Sequence, residues 1–194
     1  MESRLITAPI SEPVSLSEVK THLRLTTDTT EDTLITSLIE RARLYWENRT
    51  GRALASQTRE AHRSRWPAGD YFEIPDPPLS SVTSLIYVDS AGTETTMTAT
   101  TDYLVDADSD VGRIVLPYGT NWPSFISYPI RPIRVRYVCG YTDTPEPIKH
   151  AMLLTIGNWY ENREDAVDVV GGKLDAIPDG ARALMNQYKV WWFR

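Results

Sequence analysis

The sequence has little cysteine and little histidine. Its 194 residues include one cysteine, Cys139, and three histidines, His22, His62 and His150. A lone cysteine cannot form an internal disulfide, and these four residues do not have the spacing of zinc ligands. The composition therefore excludes a disulfide-stapled scaffold and a zinc module.

Long hydrophobic runs and an excess of basic side chains are also absent. No run of about 18 apolar residues occurs, which excludes a membrane span. Residues 1–13 lack the basic start and apolar core of a signal peptide, so we expect no export. With 20 basic and 26 acidic side chains the formal charge is −6. This charge argues against a free-standing nucleic-acid binder, but it does not exclude a protein that lets nucleic acid pass without holding it.

Catalytic motifs are missing as well, including a nucleophile elbow, a phosphate-binding loop and a dinucleotide fingerprint. Residues 106–112 resemble the start of a calcium loop because their carboxylates alternate. However, Val111 stands where that loop needs glycine, and Pro117 stands where it needs glutamate. We predict a solvated turn, no enzymatic activity, and no cofactor or metal. A calcium-dependent or hydrolytic domain built on carboxylates of this region is the alternative.

Helical signals lie at both ends of the chain. Ser15 and Glu18 have the spacing of a capping box, which predicts a helix over residues 16–25. A second helix, starting at about residue 31, is predicted by an apolar stripe of helical period, with Gly51 after its end. The stripe consists of Ile35, Leu38, Ile39, Ala42, Tyr45 and Trp46.

A third helix is predicted from Pro145 to about Glu164, and Pro178 begins a shorter fourth one. Apolar residues of the third helix recur with helical spacing up to Trp159 and Tyr160. We expect the second and third helices to pack together, with Trp46 and Trp159 in their core.

Between the helical ends, short apolar stretches alternate with turn residues. The predicted strands are 59–66, 71–74, 84–88, 93–97, 103–105, 113–116 and 133–138, with a hairpin turn at 89–92 and a long loop at 118–132. Seven short strands favour a small sandwich or an open barrel. The predicted fold class is therefore α+β. Residues 1–57 and 144–194 form a four-helix body, and residues 58–143 form a β-sandwich or barrel-like insertion.

Five arginines lie on two of the predicted strands, 59–66 and 133–138. They are Arg59, Arg63, Arg65, Arg134 and Arg136. Strand alternation could present them to phosphate, but residues 58–143 carry seven basic and eleven acidic side chains. We therefore predict solvated outer faces rather than a phosphate-binding surface.

The last seven residues are unusually aromatic for a chain end. They comprise Tyr188, Lys189, Val190, Trp191, Trp192, Phe193 and Arg194. This segment could fold back on the helical body, or it could anchor a partner, because tryptophan, tyrosine and arginine dominate interface hot spots. The residues alone leave both interpretations open.

Three sequence blocks together resemble the head-to-tail connector (adaptor) proteins of tailed bacteriophages and of phage-like gene transfer agents. The first block comprises residues 14–25, 31–35 and 47–52, the second 145–151 and 159–164, and the third 177–184 running into 188–190. The β segment matches only through its last strand and residues 139–141. The long β insertion departs from the minimal helical members of the family.

The resemblance implies a non-enzymatic virion protein at the head–tail junction, assembled in the cytoplasm of the bacterial host. Its partners would be further copies in a ring of about twelve subunits, the portal protein above, and a tail-side stopper or tail-completion protein below. DNA would pass through the ring without specific binding, and no membrane is involved. The aromatic tail, 188–194, would bind the portal, and the β insertion would contact the tail side or the outer wall. A tail-completion or stopper protein is the nearest alternative.

Overall fold

The computed structural model describes residues 1–25, 27–162 and 177–191. The elements are β1 (Glu2–Thr7), α1 (Leu16–Leu23), α2 (Asp32–Thr50), β2 (Gln57–Arg63), β3 (Tyr71–Glu73), β4 (Leu79–Val88), β5 (Glu94–Met97), β6 (Leu104–Asp106), β7 (Arg113–Val115), β8 (Ile133–Cys139), α3 (Glu146–Glu161) and α4 (Asp179–Asn186). The fold class is therefore mixed α+β, as predicted. Among the described residues, no helix combines the length and the apolar character that crossing a membrane requires.

The chain divides into two compact units. One consists of Met1–Ile10 and Ala55–Thr142 and contains all the described strands; the other consists of Ser11–Leu54 and Asp143–Arg194 and contains the helices. We call them the β unit and the helical unit. The first ten residues thus belong to the β unit, whereas the sequence analysis grouped them with the helices, because β1 pairs along β2.

The β unit contains two antiparallel sheets. The strand order is β1-β2-β8-β4-β5 in the larger sheet and β3-β7-β6 in the smaller one. Within the described residues neither sheet closes on itself, so the β unit is not a closed barrel. Ala61, Val135 and Leu85 lie in one row across the larger sheet and are fully buried, and Phe72 and Ile114 are buried in the smaller sheet.

The hairpin turn between β4 and β5 is confirmed, since residues 85–88 pair with 94–97 around it. Two strands differ most from the prediction. The strand β1 was not predicted, because it is a short edge strand in which only Leu5 and Ile6 are large and apolar, and both remain exposed. The strand β4 begins at Leu79, five residues before the predicted start, because register shifts interrupt the alternation of its first half.

The end of β8 requires a glycine. Gly140 has a φ of 100°, and a Cβ atom there would overlap the Ala55 carbonyl group. Its amide donates a hydrogen bond to the Pro78 carbonyl oxygen over 2.9 Å. This close approach explains the glycine in the block at residues 139–141.

The helical unit begins with the predicted capping box. The Glu18 amide donates to Ser15 Oγ over 3.2 Å, and the Ser15 amide donates to Glu18 Oε2 over 2.6 Å. Gly51 follows α2 with a φ of 71°, and its amide donates to the Glu47 carbonyl oxygen over 2.9 Å. Both helix boundaries therefore follow from local sequence signals.

The second and third helices pack together as expected. Trp46 is 1% exposed, and its Nε1 donates to Thr155 Oγ1 of α3 over 3.0 Å. Trp159 is only half-buried, so the prediction of a buried Trp159 is wrong. It lies at the margin of the helix pair, where the Tyr45 ring meets it edge-on at 5.8 Å and the Arg41 guanidinium lies 4.8 Å from its centroid.

Candidate functional site

The C-terminal segment is held against the end of α2. The Val190 amide donates to the Thr50 carbonyl oxygen over 2.8 Å, and Arg52 Nε donates to the Tyr188 carbonyl oxygen over 2.5 Å. Val190 is 8% exposed, whereas Trp191 is 69% exposed. The segment therefore has a fixed base and an outward aromatic side chain.

This attachment uses the free carbonyl groups of a helix end. The last four carbonyls of a helix have no partner within the helix, so a neighbouring backbone can supply the missing donor. Thr50 Oγ1 donates to the Trp46 carbonyl oxygen over 2.7 Å and accepts from the Arg52 amide over 3.3 Å. These two hydrogen bonds hold Thr50 at the end of α2, where its carbonyl oxygen accepts the hydrogen bond from Val190.

The structure separates the two interpretations of the aromatic tail. Tyr188, Lys189 and Val190 fold back onto the helical unit, which agrees with the first of these interpretations. Trp191 projects from the surface with Lys189 Nζ 4.6 Å from its ring centroid. The predicted portal-binding residues Trp192, Phe193 and Arg194 lie outside the described residues.

A buried ion network in the helical unit joins Arg43 to Glu12 and Glu47. Arg43 Nε donates to Glu12 Oε2 over 2.8 Å, and Arg43 Nη1 donates to Glu47 Oε2 over 3.2 Å. Glu47 Oε1 also accepts from the Leu54 amide over 3.0 Å. Burial alone lowers the pKa of Arg43, but the hydrogen bond to Glu12 and the charge of Glu47 raise it above its ordinary value. The network therefore fixes residues 12 and 54 to α2.

In the β unit the charges are reversed, because one glutamate is paired with two arginines. The Glu60 carboxylate lies between Arg4 and Arg136, with distances of 3.2 and 2.9 Å to their Nη2 atoms. Burial would raise the pKa of Glu60, but the hydrogen bond from Arg136 and the nearby positive charges lower it below its ordinary value. Sequence analysis missed this network, because it depends on the register of three strands.

The strand arginines are mostly occupied by carboxylates. Arg59 Nε lies 3.2 Å from Asp76 Oδ2, and Arg134 pairs with Glu94. Arg63 lies over the Phe72 ring, 5.1 Å from its centroid. The carboxylate pairs of Arg59, Arg134 and Arg136 argue against a phosphate-binding surface, as expected, but Arg59 and Arg134 are half-buried and do not lie on solvated outer faces.

The aspartate-rich turn is organised by a salt bridge. Asp106 Oδ2 accepts from Ser109 Oγ over 2.7 Å and from Arg113 Nη2 over 2.6 Å. These hydrogen bonds lower the pKa of Asp106 to about 2. Among the described residues, no group of histidine, cysteine or acidic side chains is arranged to hold a metal ion. The turn thus presents an arginine where a calcium site would need an open position.

The chain belongs to a family of phage connector proteins. Residues 13–110, about half of the chain, match the family described as "Phage gp6-like head-tail connector protein". The chain is therefore a structural component of the head–tail junction. This membership supports the connector prediction over the stopper and calcium-dependent alternatives.

Solved structures extend the similarity over the whole chain. The chain is 27% identical to a protein in the neck of an empty gene transfer agent (GTA) particle computed with C6 symmetry, with a TM-score of 0.80, covering 100% of this chain and 98% of that one. A protein of the native GTA virion is 24% identical with a TM-score of 0.78, over 100% and 98% of the two chains.

A third protein, from the neck of a native GTA particle computed with C12 symmetry, is 23% identical with a TM-score of 0.75, again over 100% and 98%. These last two similarities show the fold. No curated protein sequence matches the chain significantly.

Proposed function

We propose that about twelve copies of this chain form a closed ring beneath the portal, and that the ring joins the DNA-filled head to the tail. The match to a GTA neck protein over the whole chain carries the proposal, because such necks have cyclic symmetry. The protein acts as a scaffold and not as an enzyme. The expected four-helix body would form the portal-facing part.

The C-terminal segment is the proposed portal anchor. Its base is already ordered by Val190 and Arg52, so docking needs to order only the residues beyond. Trp191 is exposed and has a cation beside it, a combination common in interface hot spots. Trp192, Phe193 and Arg194 would extend the same contact.

The charge of the chain suits passage of DNA. Each copy carries a formal charge of −6, so a ring concentrates negative charge around its channel. A basic lining would trap duplex DNA through counterion release, whereas a like-charged lining lets it slide. The β unit is the proposed platform for a tail-side stopper or tail-completion protein.

Electron microscopy of the full chain mixed with the portal protein encoded in the same genome tests this proposal. We expect a ring with twelvefold symmetry on one face of the portal. The variant Trp191→Ala should bind the portal at least tenfold more weakly, whereas Tyr71→Ala, which removes an exposed aromatic side chain of β3, should bind normally. A chain that never associates with the portal, or that is absent from purified particles, would overturn the proposal.

A further inference from the structure

The loop between β7 and β8 is unusual in an acidic protein. Residues 114–130 contain no charged side chain, although the chain has 46 charged residues when Lys and Arg (20) and Asp and Glu (26) are counted. Residues 116–132 contain no helix or regular strand. Long irregular loops in compact domains are most often functional.

Aromatic side chains fix the loop to the β unit. Trp122 stacks on Trp66 with 4.8 Å between ring centroids and an interplanar angle of 10°, and its Nε1 donates to the Gly69 carbonyl oxygen over 2.9 Å. Phe125 lies 4.8 Å from the Tyr87 ring. The inner side of the loop is therefore anchored, and its outer side is held in a defined position.

The outer side of the loop presents apolar side chains to solvent. Ile126, Tyr128 and Ile130 alternate along the chain and are 77%, 42% and 71% exposed. The Tyr128 amide donates to the Val88 carbonyl oxygen over 3.1 Å, which fixes this part of the loop beside the end of β4. Three exposed apolar side chains within five residues of an anchored loop favour a contact with another protein.

The helical unit carries a concave surface of matching character. A groove with a volume of about 520 Å³ lies beside α2 and is lined by Leu44, Tyr45, Trp159 and Ile177, with Ser37, Glu40 and Arg41 at its rim. Leu44 is 43% exposed. A groove of this size can receive two or three aliphatic side chains.

We infer that the loop at residues 118–130 of one copy docks into the α2 groove of the next copy and so links the subunits of the ring. A head-to-tail ring needs two different complementary surfaces on the same chain, and the loop and the groove are such a pair. Identical copies with a charge of −6 repel each other, and an uncharged loop is where that repulsion is smallest. The inference rests on the proposed ring.

Two complementary variants test the inference in the full-length chain. Ile126→Ser with Ile130→Ser removes the loop contact, and Leu44→Glu places a charge in the groove. Each variant alone should associate with itself about 100-fold more weakly than the wild type, because buried aliphatic groups are lost. Leu104→Ser, at an apolar side chain that is 45% exposed on β6, is the matched control and should associate normally.

Mixing the two variants gives the sharper result. Each variant keeps one intact surface, so the mixture should form a one-to-one complex that cannot extend into a ring. Sedimentation and native mass spectrometry measure the complex, and circular dichroism checks that both variants fold. Unchanged self-association of the loop variant, or mixtures that remain monomeric, would overturn the inference.

Photocrosslinking tests the same contact in the assembled neck, including the case in which the free chain is monomeric. A photoreactive residue at Ile126, or at exposed Ser124 if that variant fails to assemble, should yield a covalent dimer mapped to residues 37–45 of a second copy. A product with the portal or a tail protein, or no product, would overturn the inference and leave the connector function intact. Absence of the chain from the neck would instead contradict the proposed function.

Discussion

The two units contain ion networks of opposite arrangement. In the helical unit, an arginine lies between two glutamates, and the Arg43 and Glu47 side chains are 4% and 8% exposed. In the β unit, a glutamate lies between two arginines, and only the central Glu60 is buried, at 7% exposure, whereas Arg4 and Arg136 are 61% and 45% exposed. The exposed arginines keep their hydration when the network is broken.

This difference determines what each network contributes. A buried arginine cannot discharge by losing a proton, so loss of its partners or of the arginine itself leaves an uncompensated charge in the interior. A buried glutamate can take up a proton when its arginines are lost. Loss of the glutamate charges would therefore leave Arg43 charged in the interior, whereas loss of Arg4 and Arg136 can be relieved by protonation of Glu60.

Exposed apolar side chains also divide unequally between the units. Leu5, Leu104, Tyr118, Ile126 and Ile130 all lie in the β unit, whereas among the described residues of the helical unit only Leu34, Leu44 and Trp191 are comparable. The described part of the helical unit thus exposes few large apolar side chains, Trp191 among them, and the β unit exposes more of them. This contrast agrees with a scaffold that carries an adaptable insertion.

The largest expected effect comes from breaking the helical network. Arg43→Ala leaves Glu47 buried without its cation, and we expect a loss of about 3 to 5 kcal/mol in the free energy of unfolding. Urea denaturation measures the loss. Arg49→Ala, at an exposed position of the same helix, should change stability by less than about 1 kcal/mol.

A second substitution identifies the cause. Combining Arg43→Ala with Glu47→Gln should recover part of the loss, because the isolated negative charge is removed. If the double variant is no more stable than the single one, the cost arises from lost packing around Arg43 and not from the charge of Glu47.

The next largest effect concerns the C-terminal segment. Its base, residues 188–190, and its last residues, 192–194, should have different roles. Removal of residues 188–194 deletes the Val190 contact with Thr50 and should lower the stability of the helical unit by about 2 to 3 kcal/mol. Removal of residues 192–194 alone should leave the stability unchanged and weaken portal binding. Thermal unfolding and a portal-binding assay measure the two effects.

Either truncation can contradict this division of roles. A 1–187 chain with wild-type stability would show that the contacts of Val190 contribute nothing to folding. A 1–191 chain that still completes infectious particles would show that Trp192, Phe193 and Arg194 are not needed for the anchor.

Features that depend on residues close together in the sequence could be predicted, and features that depend on distant residues could not. Ser15, Glu18 and Gly51 act on their own helix ends, so both boundaries could be predicted. The position of Glu60 between Arg4 and Arg136 joins residues separated by 56 and 76 positions, so it could not be predicted. The exposure of Trp159 depends on how far α3 extends along α2, and helical periodicity does not contain that information.

The β network should respond more weakly than the helical one. Glu60→Gln removes the central charge but leaves two arginines that are already hydrated, so we expect a loss of about 1 to 2 kcal/mol at neutral pH. The pKa of Glu60 is lower than its ordinary value of 4.5. Its contribution is therefore complete above pH 4.5 and is lost as the pH falls through the lower pKa of the folded state.

Urea denaturation between neutral and acidic pH checks this expectation. The stability difference between wild type and Glu60→Gln should shrink in acid, because Glu60 then takes up a proton in the wild type. A difference that stays constant between neutral and acidic pH would show that the charge of Glu60 does not stabilise the fold.

The smallest expected effect concerns Asp106. Like Glu60 it is a carboxylate of the β unit that pairs with an arginine, but its side chain is more exposed. Hydrogen bonds from Ser109 and Arg113 lower its pKa from 3.8 to about 2. Ionised Asp106 therefore stabilises the folded state fully above pH 3.8, and this contribution disappears as the pH falls through about 2. Because the pair is solvated, Asp106→Asn should lower the melting temperature only slightly at neutral pH and not at all near pH 2.

Carboxyl chemical shifts from NMR provide the direct measurement. Asp106 should titrate near pH 2, and Arg113→Gln should move its midpoint back toward 3.8. Asp108→Asn, at an exposed neighbour in the same turn, should leave the Asp106 midpoint unchanged. A midpoint for Asp106 that stays near 3.8 in the wild type would show that the turn is open and that Arg113 does not occupy it. That result would restore the calcium interpretation of residues 106–112, because the carboxylates would then be available to a cation.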